Sequence, residues 1–165
     1  GKFVGHYPSG YNHFSYDITE FLNKDGSENS ITVQVTNKQP SSRWYSGSGI
    51  YRDVTLSYRD KVHVAENGNH ITTPKLAEQK DSNVETQVQS KIKNTDKKAA
   101  NVFVEQQIFT KEGKPVSEIV RSATKSLAEN ETAHFNQNIL VNQPTLWTTK
   151  SYHPQLYVLK TKVYK

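Results

Sequence analysis

Ile31-Thr32-Val33-Gln34-Val35-Thr36 alternates apolar and polar side chains without a break. A period of two places Ile31, Val33 and Val35 on one face of an extended chain and the polar residues on the other. The same period returns at Val54, Leu56 and Tyr58. It returns again at Val84, Val88 and Ile92, at Val102, Val104 and Ile108, at Phe135, Ile139 and Val141, and in the final run from Leu156 to Tyr164. Turn-forming residues punctuate these runs: Asp25-Gly26, Asn67-Gly68-Asn69, Glu112-Gly113 and Glu129-Asn130-Glu131. Short alternating strands with such punctuation predict antiparallel β-sandwiches. The single helical expectation is one turn over Asp17–Leu22, with Asp17 or Thr19 as its cap and Phe21 and Leu22 turned to the core.

Composition agrees. Val, Ile and Thr total 38 residues, against 15 for Leu plus Ala, a bias that suits pleated half-buried surfaces and disfavours long helices. Cys is absent, which excludes disulfides, thiol catalysis and Cys-ligated metals. No apolar run approaches the roughly 20 residues that would cross a bilayer as a helix. No hydrophobic leader opens the sequence, so any signal peptide is expected to lie outside it. Net charge is +5 over 165 residues. The excess falls entirely after Asp60, on lysines at exposed alternations such as Lys91 and Lys93 or Lys160 and Lys162. A nucleic-acid footprint needs a clustered basic face, so these lysines read as a solvated sandwich surface and no nucleic-acid partner is expected.

A boundary is expected near Arg59-Asp60-Lys61, where aromatic density drops and lysine content rises. The stretch after it, about 105 residues with some seven alternating runs, has the size of an immunoglobulin-like sandwich. Residues 1–60 hold too few strands to close a sandwich alone. They are therefore expected to start inside a domain, and to need complementing strands or self-pairing to cover Ile31, Val33 and Val35.

The most unusual segment is Ser42-Arg43-Trp44-Tyr45-Ser46-Gly47-Ser48-Gly49-Ile50-Tyr51-Arg52. Aromatic faces suit the C–H side of a sugar ring, and Arg and Tyr can donate to its hydroxyls. The loop thus reads as carbohydrate-facing. The alternative is that Trp44 and Tyr51 bury against a sandwich edge while Arg52 pairs with Asp53 or Asp60. His6 and His13 lack the third ligand and spacing a metal site needs, so no metal and no cofactor is expected. Glycosidic hydrolysis needs two carboxyl groups at a fixed separation. Glu20, Glu105 and Glu118 fall in alternating or capping positions, and no catalytic residue is assigned. There is no phosphate-binding glycine loop and no serine nucleophile elbow.

Three stretches resemble the non-catalytic N-terminal region of glycoside hydrolase family 2, most closely its β-galactosidases. Gly1-Lys2-Phe3-Val4-Gly5 through Gly10-Tyr11-Asn12-His13-Phe14-Ser15-Tyr16-Asp17-Ile18-Thr19 resembles the family's NGxxVGxxxGGYxxFxxDIT run. Arg43-Trp44-Tyr45-Ser46-Gly47-Ser48-Gly49-Ile50-Tyr51-Arg52-Asp53-Val54 is similar to RWYxGSGIYRxV. Gln143-Pro144-Thr145-Leu146-Trp147 with His153-Pro154-Gln155-Leu156-Tyr157 is similar to NPxLWSxxxPxLY, and Thr72-Thr73-Pro74 to a VTTP element.

The resemblance implies an all-β chain. Residues 1–60 would be the C-terminal part of a jelly-roll sugar-binding domain, and residues 61–165 an immunoglobulin-like β-sandwich. It implies that the chain is a non-catalytic piece of a retaining β-galactosidase whose catalytic glutamates lie on a (β/α)8 barrel elsewhere. The piece would itself be inactive. Its partners would be that barrel, the remaining jelly-roll strands and, through the parent enzyme, a β-galactoside. Arg43, Trp44 and Tyr45 are the positions carried over as substrate-binding, although Arg43 stands where some members place a galactose-contacting Asp. Trp147 and Tyr157 would pack the end of the second sandwich. Other readings are a stand-alone carbohydrate-binding or adhesive module, or β-glucuronidase or β-mannosidase specificity. A Cys-free, Lys- and Asn-rich sandwich suits a secreted or cell-surface protein, with a cytoplasmic location as the alternative.

Overall fold

The computed structural model describes residues 1–38, 40, 47–80, 82–149 and 154–165. The chain divides into two compact units, Gly1–Thr55 and Leu56–Lys165.

The second unit is an antiparallel β-sandwich. Its elements are β1 (Val62–Thr72), a one-turn helix α1 (Leu76–Gln79), β2 (Val84–Asn94), β3 (Ala100–Thr110), β4 (Val120–Arg121), β5 (Lys125–Leu127), β6 (Thr132–Val141) and β7 (Tyr157–Tyr164). One sheet runs β1-β2-β6. In the other, β3 is central, with β7 on one side and the short β4 and β5 sharing the opposite side. The β2–β6 ladder is unbroken from Val84↔Val141 to Lys93↔Thr132. The β3–β7 ladder runs unbroken from Phe103↔Tyr164 to Thr110↔Tyr157.

Alternation explains the core. On β2, Val84, Val88 and Ile92 point inward, and on β3 Val102, Val104 and Ile108 do the same; all are buried. All but Val84 meet Leu127, Phe135, Ile139 and Val141 in two apolar clusters. Polar side chains also sit inside the sandwich. The Gln106 amide donates to Ser90 Oγ at 2.8 Å and to Thr161 Oγ1 at 3.0 Å, and so ties the two sheets together. Asn94 is wholly buried, and its amide donates to the carbonyls of Lys98, Leu127 and Ala128. Where β4 and β5 are too short to pair with all of β3, serine hydroxyls take over. Ser122 Oγ accepts from the Val104 N–H, and Ser117 Oγ accepts from the Ile108 N–H. Buried donors therefore keep partners across the gap in the ladder.

The segment Asn67-Gly68-Asn69 does not form the expected turn. It lies within β1, where the register slips between Val64↔Ile92 and Asn69↔Ser90. Asn67 adopts φ 50° there. A Cβ on Gly68 would lie 2.6 Å from the Ala65 carbonyl and 3.0 Å from that of Lys91, so the bulge needs glycine at this position.

The first unit differs from its alternation. Ile31, Val33 and Val35 are 67%, 54% and 46% exposed, and no ladder is formed among the described residues of this unit. Val54, Leu56 and Tyr58 are also exposed and unpaired in any strand. An extended segment becomes a strand only when another backbone takes its hydrogen bonds, and none does so among the described residues. The expected helix over Asp17–Leu22 is a single turn: Asp17 Oδ1 accepts from the Thr19 N–H at 2.9 Å and Ile18 O from the Phe21 N–H at 2.9 Å. Phe21 and Leu22 remain about two-fifths exposed rather than turned to a core. The helix α1 was not expected. It comes after Thr73-Pro74, and the Gln79 N–H donates to the Lys75 carbonyl. Proline near a first turn carries the right φ in advance, but four residues are too few to show a helical period.

Candidate functional site

The sequence-predicted sugar contacts Arg43, Trp44 and Tyr45 lie outside the described residues, as does His153 of the C-terminal motif. The exit of the loop, from Gly47 onward, is described. Gly49 has φ 139°, a backbone region that side chains rarely adopt. Beyond it, Tyr51 is 66% exposed, and its hydroxyl donates to the Gly10 carbonyl at 3.1 Å. The Arg52 guanidinium sits 5.2 Å from the Tyr51 ring centre and reaches the Tyr11 carbonyl at 3.5 Å. Arg52 thus engages a backbone oxygen and a ring rather than Asp53 or Asp60. Tyr51 and Arg52 belong to the second motif, and Gly10 and Tyr11 to the first. The two stretches that carry the resemblance are therefore fastened to each other within one unit.

The first motif folds its rings together. Tyr7 stacks on Phe14 with centres 5.1 Å apart and planes 22° apart, and Phe14 leans on Tyr16 at 5.6 Å. The Tyr16 ring lies so close to Gly5 that any Cβ there would overlap it. Glycine at position 5 is needed for that close approach, not for its backbone angle. The first motif thus holds an aromatic cluster, and the Tyr51–Arg52 pair is tied to it through the Gly10 and Tyr11 carbonyls.

Chemically, Asp60, Asp96 and Glu105 serve local structure. Glu105 accepts from the Tyr164 phenol, which pushes that phenol's pKa up. Asp60 is held below the usual carboxylate range by the Lys61 N–H and by Lys165. Asp96 is lowered first by its bond to the Lys61 ammonium and then by the Lys97 N–H. Lys61 and Asp96 lie 3.2 Å apart, and Lys165 and Asp60 3.5 Å apart, in an exposed cluster at one end of the sandwich. Among the described residues, no group of three His, Cys, Asp or Glu side chains is placed to hold a metal.

Clefts open on the sandwich among the described residues. A groove of about 410 Å³ runs between the β4–β5 segment and β6, with Arg121, Lys125 and Gln137 among its walls. Its cations are occupied: Arg121 lies 3.7 Å over the Phe103 ring and Lys125 donates to the His134 carbonyl. A smaller apolar cleft of about 240 Å³ lies where β1 and β7 approach the loop before Trp147. Trp147 lines it and is 58% exposed, which corrects the expectation that it packs in the interior. Tyr157, given the same anchoring role, does fasten the loop: its hydroxyl accepts from the Thr145 N–H at 2.8 Å and donates to the Thr145 carbonyl. Tyrosine can fasten a loop in this way because its hydroxyl both donates and accepts.

Comparison with known proteins agrees with the architecture. The family model described as Glycosyl hydrolases family 2 matches residues 62–165. β-Galactosidase BoGH2A of Bacteroides ovatus is 38% identical over 99% of this chain, which spans 18% of that protein. Two proteins of Formosa agariphila that carry a provisional β-glucuronidase name are each 32% identical, and the chain spans 14% and 18% of them. Among solved structures, a glycosyl hydrolase family 2 member from Bacteroides cellulosilyticus superposes with a TM-score of 0.78 at 28% identity, over 98% of this chain and 21% of that one. The chain thus spans about a fifth or less of the length of these relatives.

Proposed function

Because the chain belongs to family 2 of the glycosyl hydrolases, we propose that it serves as a non-catalytic part of a retaining β-galactosidase acting on terminal β-linked galactose. The observation that carries the specificity is the 38% identity to a β-galactosidase along 99% of the chain, against 32% to the proteins with a glucuronidase name. In this reading residues 1–60 are the end of a jelly-roll sugar-binding domain and residues 61–165 an immunoglobulin-like domain. Together they support a catalytic barrel supplied by the rest of the enzyme. A retaining hydrolysis needs an acid and a nucleophile about 5 Å apart. Asp17 and Asp25 make turns, Asp60, Glu85 and Asp96 pair with lysines and Glu105 meets a phenol, and this reading assigns the reacting pair to the barrel.

Arg43, Trp44 and Tyr45 are proposed to border the sugar subsite. Support comes from their neighbours: Tyr51 and Arg52 anchor the loop's exit to Gly10 and Tyr11. Export to the cell surface is part of the same proposal, and fractionation of producing cells tests it.

The test of specificity uses the full-length enzyme with paired chromogenic substrates. Cleavage of the β-galactoside with little action on the β-glucuronide and β-mannoside is expected. A preference for the glucuronide would transfer the assignment to that specificity. Trp44→Ala in the same enzyme is expected to raise KM more than it lowers kcat; unchanged kinetics would remove the loop from the subsite.

A further inference from the structure

Four strands of the sandwich interrupt their apolar inward faces at the same level. On β2 Ser90 stands between Ile92 and Val88, and on β3 Gln106 stands between Val104 and Ile108. On β6 Gln137 stands between Phe135 and Ile139, and on β7 Thr161 stands between Val163 and Leu159. In each case the first neighbour belongs to or packs against one apolar cluster and the second does so with the other. A polar layer therefore separates the two halves of the core.

The layer is wired on one side only. Ser90 Oγ donates to Asn69 Oδ1 on β1 and accepts from the Gln106 amide, which also donates to Thr161 Oγ1. Three polar atoms are left over. Gln106 Oε1 and both Oε1 and Nε2 of Gln137 are buried and meet no hydrogen-bond partner among the described residues. Gln106 is 1% exposed and Gln137 7%. Buried amides without partners are rare, because each gives up its water on folding. The leftover atoms belong to opposite sheets, Gln137 to β1-β2-β6 and Gln106 to the sheet centred on β3. The groove between the β4–β5 segment and β6 reaches this layer: Gln137 and Val120, the residue paired with Gln106, are among its walls.

We propose that ordered water, admitted through this groove, binds between Gln137 and Gln106 and closes the polar layer from sheet to sheet. Size and charge select the ligand. The amide oxygen and nitrogen of Gln137 lie behind the groove wall rather than on it, so only a molecule as small as water reaches them. Nothing there favours an anion, since Arg121 and Lys125 are engaged by a ring and a backbone carbonyl. Water also has the right chemistry. One molecule can donate to both amide oxygens, and a neighbour can accept from Gln137 Nε2. Buried water typically makes about three bonds of this kind to groups that have no other partner.

Water–protein cross-relaxation on the isotope-labelled chain tests the site directly. A cross-peak is expected between water and the side-chain amide protons of Gln137, with the sign of a long-lived water, and Gln137→Met assigns it by removing it. No such peak, or a direct contact between the Gln106 and Gln137 amides, would overturn the proposal. Urea melts add a test by sign. With bridging water, Gln137→Met strands the Gln106 oxygen and should raise the unfolding constant about tenfold. In a dry layer the same change removes an unpartnered amide, so equal or greater stability would overturn the proposal. The Gln106→Met/Gln137→Met variant should lose less than the two single variants together, because the same water serves both residues. Additive losses would overturn the bridge. None of these measurements involves a sugar, so their failure is separate from failure of the galactosidase reading.

Discussion

The runs Ile31–Val35 and Val102–Ile108 share one alternating pattern and have opposite fates. In the first, the apolar face is 46–67% exposed and forms no ladder among the described residues. In the second, Val102 and Val104 have no exposed surface, and β7, β4 and β5 flank the strand. Alternation alone is worth little to a strand. It stabilises only when a second backbone accepts the ladder and a facing sheet covers the apolar side.

Substitutions at the two places break this contrast most sharply. Phe135→Ala, opposite Ser90 in the β2–β6 ladder and 1% exposed, should cost about 3–5 kcal/mol. Ile31→Ala should stay within about 0.5 kcal/mol, as surface changes do. Urea melts followed by the far-ultraviolet signal decide it, and comparable losses would mean that residues 31–35 are packed. Next in size is Asn94→Leu, which leaves three carbonyls without their buried donor and should cost roughly 2–3 kcal/mol. A variant as stable as the parent would show that water replaces the amide. Gly68→Ala should cost roughly 1–2 kcal/mol, because its methyl meets two backbone oxygens that cannot swing aside. An unchanged melting temperature would mean that the β1 bulge can relax.

The smallest effect is electrostatic and separates one end of the sandwich from its core. Asp60 and Asp96 have carboxyl pKa values lowered from the ordinary 3.8. A lowered folded value stabilises above the unfolded value and is lost as pH falls through the folded one. Stability should therefore drop as pH falls below about 4, more steeply in the parent than in Lys61→Ala. Asp60 is exposed and Asp96 partly so, and salt should weaken the difference. Parallel acid titrations of the two proteins would show no role for Lys61.

Much of the sandwich was legible in the sequence. Strands β2, β3, β6 and β7 follow from the period of two, and the turns at Gly26, Gly113 and Asn130 follow from residues that tolerate their observed positive φ. Three features were not legible, each for a physical reason. Asn67-Gly68-Asn69 has turn chemistry, but a bulge uses the same residues and only the neighbouring register tells them apart. Trp147 carries the apolar area of a core residue, yet its loop is fastened by Tyr157 instead and leaves the indole at a cleft. The alternation over residues 31–58 stated a tendency whose partner no local pattern can supply. Of the candidate site, the tie between Tyr51-Arg52 and Gly10-Tyr11 joins residues 41 positions apart in sequence, which no spacing rule detects. Only the family motifs brought the two stretches under one reading.

The central claim is that these sheets support a sugar-cleaving enzyme whose reacting carboxyl groups lie in the barrel. Turnover of a chromogenic β-galactoside by the purified 165-residue chain tests it directly. The account predicts no release above the buffer rate from this chain, alongside turnover by the full-length enzyme prepared in the same way. Galactoside cleavage by the chain that persists through repurification would contradict it.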